Sequence, residues 1–225
     1  MTEEIKTTTP VASPPPTVPQ RSDGFDFADD AGNSIIRGVK IPFTNNAEYL
    51  AGSGGEVIKS PPREFIAVEH LRALQKWPTD EGPPLETRVL EPDEYFPDIE
   101  VLNSQAPQSE WRTVFGQKKG PWEKVHALYL LEQESMAAFT FITGTVGGFR
   151  AVRELTEAIK RARMLGNPYL FPVVNLTHTF MPTQYGGRER PQFKVVRWIE
   201  IGKPAEKPAL AKPKNADMDG DSIPF

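Results

Sequence analysis

The spacing of hydrophobic positions changes several times along the chain, and each change predicts an element. Glu64–Trp77 opens with Phe65, Ile66 and Val68, a β-rich start, and continues through better helix formers; we read it as one long strand. Trp122–Leu131 follows as a strand, Glu132–Ser135 as a turn and Ala137–Thr143 as the hairpin partner. Phe139 and Phe141 share one face there by period two. From Gly147-Gly148 the period lengthens: Phe149, Val152, Leu155, Ile159 and Ala162 form an apolar stripe at helical spacing, and Gly166-Asn167-Pro168 stops it near Leu165. Phe171–Met181 and Gln192–Ile201 return to strand patterning, joined by a loop over Pro182–Pro191. Upstream, Ser34–Phe43, Tyr49-Leu50 and Glu56–Ile58 around the Gly52–Gly55 turn predict short strands and a hairpin. No GK[ST] follows those glycines, so they are not a phosphate loop.

From residue 64 the order is strand, strand, strand, helix, strand, strand. A helix between the third and fourth of five strands is the order of an OB-type barrel, whose sheet face and loops take oligonucleotides. The expected class is therefore mainly β with one helix (α+β): an OB-fold-like five-stranded barrel with extra N-terminal strands and disordered tails. Residues 78–109, rich in Pro, Asp and Glu, read as a long decorated loop. Residues 1–34 lack apolar periodicity and read as a disordered tail; 35–201 hold the domain, 202–216 are an Ala/Pro/Lys linker and 217–225 an acidic end.

Composition narrows the chemistry. The 225 residues include no cysteine, which removes disulfides, thiolate metal sites and cysteine nucleophiles. Three histidines and no HExxH argue against a histidine zinc site, and neither metal nor cofactor is expected. No apolar run approaches the roughly 20 residues of a membrane span, and the Thr/Pro-rich start lacks a signal-peptide pattern. The expected location is cytoplasmic: bacterial cytoplasm, nucleoid or a phage-infected host. The net charge of -4 is uneven: residues 1–34 carry -4, 35–109 carry -5 and 110–201 carry +5. A mildly acidic chain can thus still meet a polyanion locally.

Holding a single strand without reading its sequence requires flat side chains for the bases and cations along the phosphates. Trp111, Arg112, Lys118, Lys119 and Trp122 interleave the two types, with Phe115 among them. Tyr185, Arg188 and Arg190 flank a glycine turn, and Lys194, Arg197 and Trp198 lie on the last strand. Competing with this is a plain packing role for the aromatics and a solvated one for the charges. The same competition applies to the basic helix face with Arg150, Arg153, Lys160, Arg161 and Arg163.

The last nine residues form a tethered anionic peptide with an apolar tip: Asp217, Asp219 and Asp221 precede Ile223, Pro224 and Phe225. Such a tip can seat its ring in an apolar pocket while its carboxylate meets a cation, with the aspartates steering encounter. This ending resembles the acidic, Ile-Pro-Phe-terminated tail of bacterial single-stranded DNA-binding proteins. Gly120–Trp122, Tyr129–Leu131, Thr145–Gly148 and Phe180–Trp198 resemble phage- and prophage-encoded members. The resemblance implies a protein that coats single-stranded DNA and uses those six tail residues to dock replication, recombination and repair proteins.

Two rivals stand beside this. A protein-only adaptor would use barrel and tail for protein contacts. A magnesium nuclease would need Glu91, Asp93, Glu94, Asp98 and Glu100 as ligands, but no spaced lysine completes the arrangement. His126, between Val125 and Ala127, reads as a packed histidine rather than a general base, and no GxSxG serine is present. No catalytic residue is expected, and the oligomeric state stays open.

Overall fold

The computed structural model describes residues 35–114, 116–183 and 186–202. The strands are β1 (Val39–Lys40), β2 (Phe65–Lys76), β3 (Glu86–Val89), β4 (Arg112–Val114), β5 (Gln117–Lys119), β6 (Trp122–Glu132), β7 (Ala138–Thr143), β8 (Leu170–Thr183) and β9 (Gly186–Glu200). The helices are α1 (Ile99–Ser104) and α2 (Val146–Met164), with a 3-10 turn at Gln108–Glu110. The chain is mainly β with one main helix, an α+β arrangement around a curled half-barrel sheet.

Strand β2 is the hub. It pairs antiparallel with β6 along its length, from Phe65↔Glu132 to Lys76↔Trp122. Its other edge is shared: β8 takes Phe65 and Ile66, and β3 takes Ala73–Lys76. The sheet order is β1-β7-β6-β2-β8-β9, and among the described residues no ladder joins β7 to β9.

Alternate residues of β6 feed two separate cores, as the two-residue period requires. Leu128 and Leu130 join Phe65, Phe139, Phe141, Val174, Leu176 and Phe193 in the larger one, where α2 inserts Ala151, Val152 and Leu155. Val125 and Ala127 point the other way, into a small cluster with Ile35 and Ala73. Helix α2 therefore lies on the larger core by its apolar stripe. Its start is capped by Thr145, whose hydroxyl accepts the Gly148 amide at 3.1 Å.

The gap between β7 and β9 is spanned from the N-terminal side. The Ile41 amide donates to the Thr140 carbonyl on β7, and Leu50 and Ile58 fold back onto Pro42 and Tyr49. Phe141 of β7 and Phe193 of β9 meet across the gap with ring centroids 5.1 Å apart, and buried Tyr49 packs against both, at 6.2 and 6.4 Å. Its hydroxyl reaches the β8–β9 ladder, donating to the Thr177 carbonyl at 2.8 Å and accepting the Gln192 amide at 3.1 Å.

Three expectations need correction. Residues 78–109 are not one loop: Thr87 and Val89 supply β-branched residues to β3, and Asp98 caps α1 by accepting the Glu100 amide at 2.9 Å. Nor is Pro182–Pro191 a loop, because the ladder runs on through Met181↔Arg188 and Pro182↔Gly187 to Thr183↔Gly186. The expected N-terminal hairpin is reduced to β1 and two isolated bridges, Phe43↔Tyr49 and Leu50↔Val57.

Candidate nucleic-acid interface

A groove of about 890 Å³ opens where β7 ends, walled by the start of α2, the Lys40–Asn45 segment and the β8–β9 hairpin. Two glycines draw these walls together. A Cβ at Gly148 would overlap the Thr143 side chain, and one at Gly147 would crowd Arg190. Lys40 and Arg188 line the groove, and Arg188 makes no ion pair among the described residues.

The register of β9 places Arg188, Arg190 and Lys194, spaced by two and then four residues, on one face. They are not equivalent. Arg188 and Lys194 are exposed, whereas Arg190 is only 9% exposed and donates to both Glu154 oxygens, at 2.8 and 3.0 Å. Arg190 thus ties β9 to α2 through one guanidinium nitrogen that meets both carboxylate oxygens, and its charge is spent internally. Arg197, past a bulge, pairs with Glu64 at 2.6 Å and also donates to Gln133. Trp198 is half-buried and stands opposite Pro172.

The other expected group gathers elsewhere, around the β4–β5 hairpin. Arg112 pairs with Glu123, as does Lys119, and the Arg112 guanidinium lies 5.1 Å from the Trp77 ring centre. Trp111 is half-buried, and its indole nitrogen donates to the Ala106 carbonyl at 3.4 Å. Asn103 brackets Trp122, accepting its amide at 2.8 Å and donating to its carbonyl at 3.1 Å. Lys76 sits 5.9 Å from the Trp122 ring. Lys118 is exposed beside this cluster. These aromatics are braced rather than freely presented. Phe115, Tyr185 and the tail residues Asp217, Asp219, Asp221, Ile223, Pro224 and Phe225 lie outside the described residues.

Sequence reasoning passed over Phe180. It is 64% exposed, and its ring covers Gly187 so closely that a Cβ there would overlap it. The sequence alone does not show this, because Pro182–Pro191 reads as a loop and the register that sets Gly187 beside the ring is not visible in it.

Of the acidic residues at 91–100, Glu94 and Asp98 have structural work in their side chains and Glu91 in its carbonyl. Glu94 pairs with Arg88, Asp98 caps α1, and Arg72 donates to the Glu91 and Pro92 carbonyls at 2.9 and 2.8 Å. His126 Nδ1 meets His70 Nε2 at 2.7 Å, with Phe149 and Phe96 packed on its ring. Burial, reinforced by neighbouring cations, lowers both histidines to about 4.

No protein-family model, curated protein or solved structure matches the chain. Among the described residues, no helix is long and apolar enough to cross a membrane.

Proposed function

We propose that the chain binds single-stranded DNA at the β8–β9 hairpin and its groove, coats it during replication, recombination or repair, and recruits partners through its terminal peptide. The observation that carries this reading is the hairpin itself. Arg188 and Lys194 stand on one face and the open Phe180 ring on the other, so a flexible strand crossing the ribbon meets cations and then a stacking surface. The element order supports it. Helix α2 falls between the third and fourth of the five long strands, and the first of them pairs with both the second and the fourth. We read this as an OB-type barrel whose closing contact is supplied by residues 41–58.

A titration of labelled oligothymidine against duplex at two ionic strengths tests the reading. Single-strand preference and an affinity that falls with salt, by a slope of about -0.7 per phosphate neutralised, are expected. Equal retention of duplex, or none of either at low salt, overturns it. The ion pairs of Arg112, Arg190 and Arg197 favour the second reading, a protein-only adaptor, because they remove three cations from a phosphate track. Binding of a partner without any oligonucleotide retention would select that reading.

A further inference from the structure

The described chain begins at Ile35, and it begins beside the groove. Ile35 is only 6% exposed, in a small cluster with Ala73, Val125 and Ala127, and Ile142 at the rim of that cluster also lines the groove. The Tyr129 hydroxyl donates to the Ile35 carbonyl at 2.8 Å, and the Arg37 amide donates to Thr140 Oγ1 at 2.8 Å, so this starting point is fixed on the sheet. Gly38 then takes a left-handed φ of 66° against the Ala138 carbonyl, and two residues on Lys40 reaches the groove wall.

The sequence just before this point complements the groove in charge. Asp23, Asp26, Asp29 and Asp30 interleave with Phe25 and Phe27, and no Lys or Arg occurs from residue 22 to 34. In the groove, Lys40 and Arg188 make no ion pair among the described residues, whereas Arg190 and Glu189 are already held by Glu154 and His178. Phe43, Met181 and Val146, the last 71% exposed, supply apolar surface between the charges. Phe27 precedes Ile35 by eight residues, a reach of roughly 28 Å when extended. That exceeds the length of β7, about 20 Å for its six residues, at whose end the groove opens.

We infer that residues 23–30 occupy this groove in their own chain, rings on the apolar wall and carboxylates toward Lys40 and Arg188, and compete there with single-stranded DNA. The competition rests on the single-strand reading above; the occupancy does not. A short tether gives the segment an effective concentration of about 1 mM. An intrinsic dissociation constant of about 0.25 mM then keeps the groove covered about 80% of the time, and DNA that binds only the open groove loses about fivefold in apparent affinity.

Phe25→Ala with Phe27→Ala removes both rings and leaves the charge unchanged, so a general gain in attraction for a polyanion does not enter. This full-length variant should bind oligothymidine about fivefold tighter. Occupancy is read separately, without DNA. The chain has no cysteine, so Ala28→Cys can be combined with Asn45→Cys, exposed on the groove wall, or with Glu134→Cys, exposed in the turn at the far end of β7, and each pair joined by a short bismaleimide. Joining within one chain should be roughly fivefold faster to position 45 than to 134, and saturating oligothymidine should slow it. Equal rates to the two positions, or joining only between chains, would overturn the occupancy. Preference for position 45 with parental DNA affinity in the phenylalanine variant, while Arg188→Ala still weakens binding, would overturn the competition alone. No oligothymidine binding by parent or variant, with that preference intact, would overturn the single-strand reading and the competition with it, and leave the occupancy standing.

Discussion

Tyr49 and Gln192 are joined across the open seam of the sheet: the Gln192 amide donates to the Tyr49 hydroxyl at 3.1 Å, while that hydroxyl donates to the Thr177 carbonyl at 2.8 Å. Burial raises the Tyr49 pKa, so the hydroxyl keeps its proton and its donor role. Tyr49→Phe retains the ring packing but leaves two backbone groups unpaired. The expected loss is about 1–3 kcal/mol in urea unfolding. A variant as stable as the parent would mean that the seam does not depend on this hydroxyl.

The two arginines of the hairpin should separate cleanly. Arg188→Ala lowers oligothymidine affinity and flattens the salt slope by about 0.7, with stability within about 0.5 kcal/mol of the parent. Arg190→Ala instead destabilises by about 1–3 kcal/mol, because it removes the charged hydrogen bonds to half-exposed Glu154. Thermal melts and salt-dependent titrations of both variants check the split. Identical behaviour of the pair would contradict the structural distinction.

Phe180→Ala removes a ring that is mostly in solvent, so little stability should be lost. Oligonucleotide affinity should fall by about 1–3 kcal/mol, the range for one stacked base. Gly187→Ala displaces the same ring from beneath. A similar affinity loss in both variants, read by fluorescence anisotropy, is the expected outcome; wild-type affinity in both would remove Phe180 from the interface.

Acid should weaken the fold in two stages. His70 and His126 titrate near 4 when folded and near 6.5 when free, so the unfolded chain binds more protons between those values. Their contribution is complete above pH 6.5 and is lost as pH falls toward 4. Glu132 is lowered by its hydrogen bonds from Arg63 and Ser135, so its contribution is present above its ordinary pKa of 4.5 and fades below that. Urea midpoints at pH 7, 5.5 and 4.5 should therefore decline, and His126→Leu should flatten the decline. A midpoint that rises between pH 7 and 5.5 would contradict neutral buried histidines.

Local patterning reaches as far as period and shape do. Strand β2 follows from its β-rich start despite a helix-favouring second half, β6 and β7 from strand patterning, and helix α2 from the Phe149–Ala162 stripe, each within a residue or two at the ends. What alternation cannot convey is the long-range partner. Arg190 sits in a charged stretch that reads as solvated loop, yet Glu154 on α2 holds it down. Trp122 reads as a platform, yet Asn103, contributed by a segment expected to be loop, braces its backbone. Phe180 has the pattern of a core strand residue and emerges into solvent because the hairpin continues past the half-barrel. The small cluster under Ile35 is equally hidden, since nothing in Val125 or Ala127 announces which segment lies across them.

The seam also has a consequence in time. Ribosomes release Ile41 and Tyr49 long before Thr140, Thr177 and Gln192 exist. At about 5–20 residues per second, the wait for the last of these is on the order of 10 s. The early segment can meet Thr140 first but cannot complete its contacts with β8 and β9 until then, so the half-barrel acquires its missing side only after nearly all of the domain has been made.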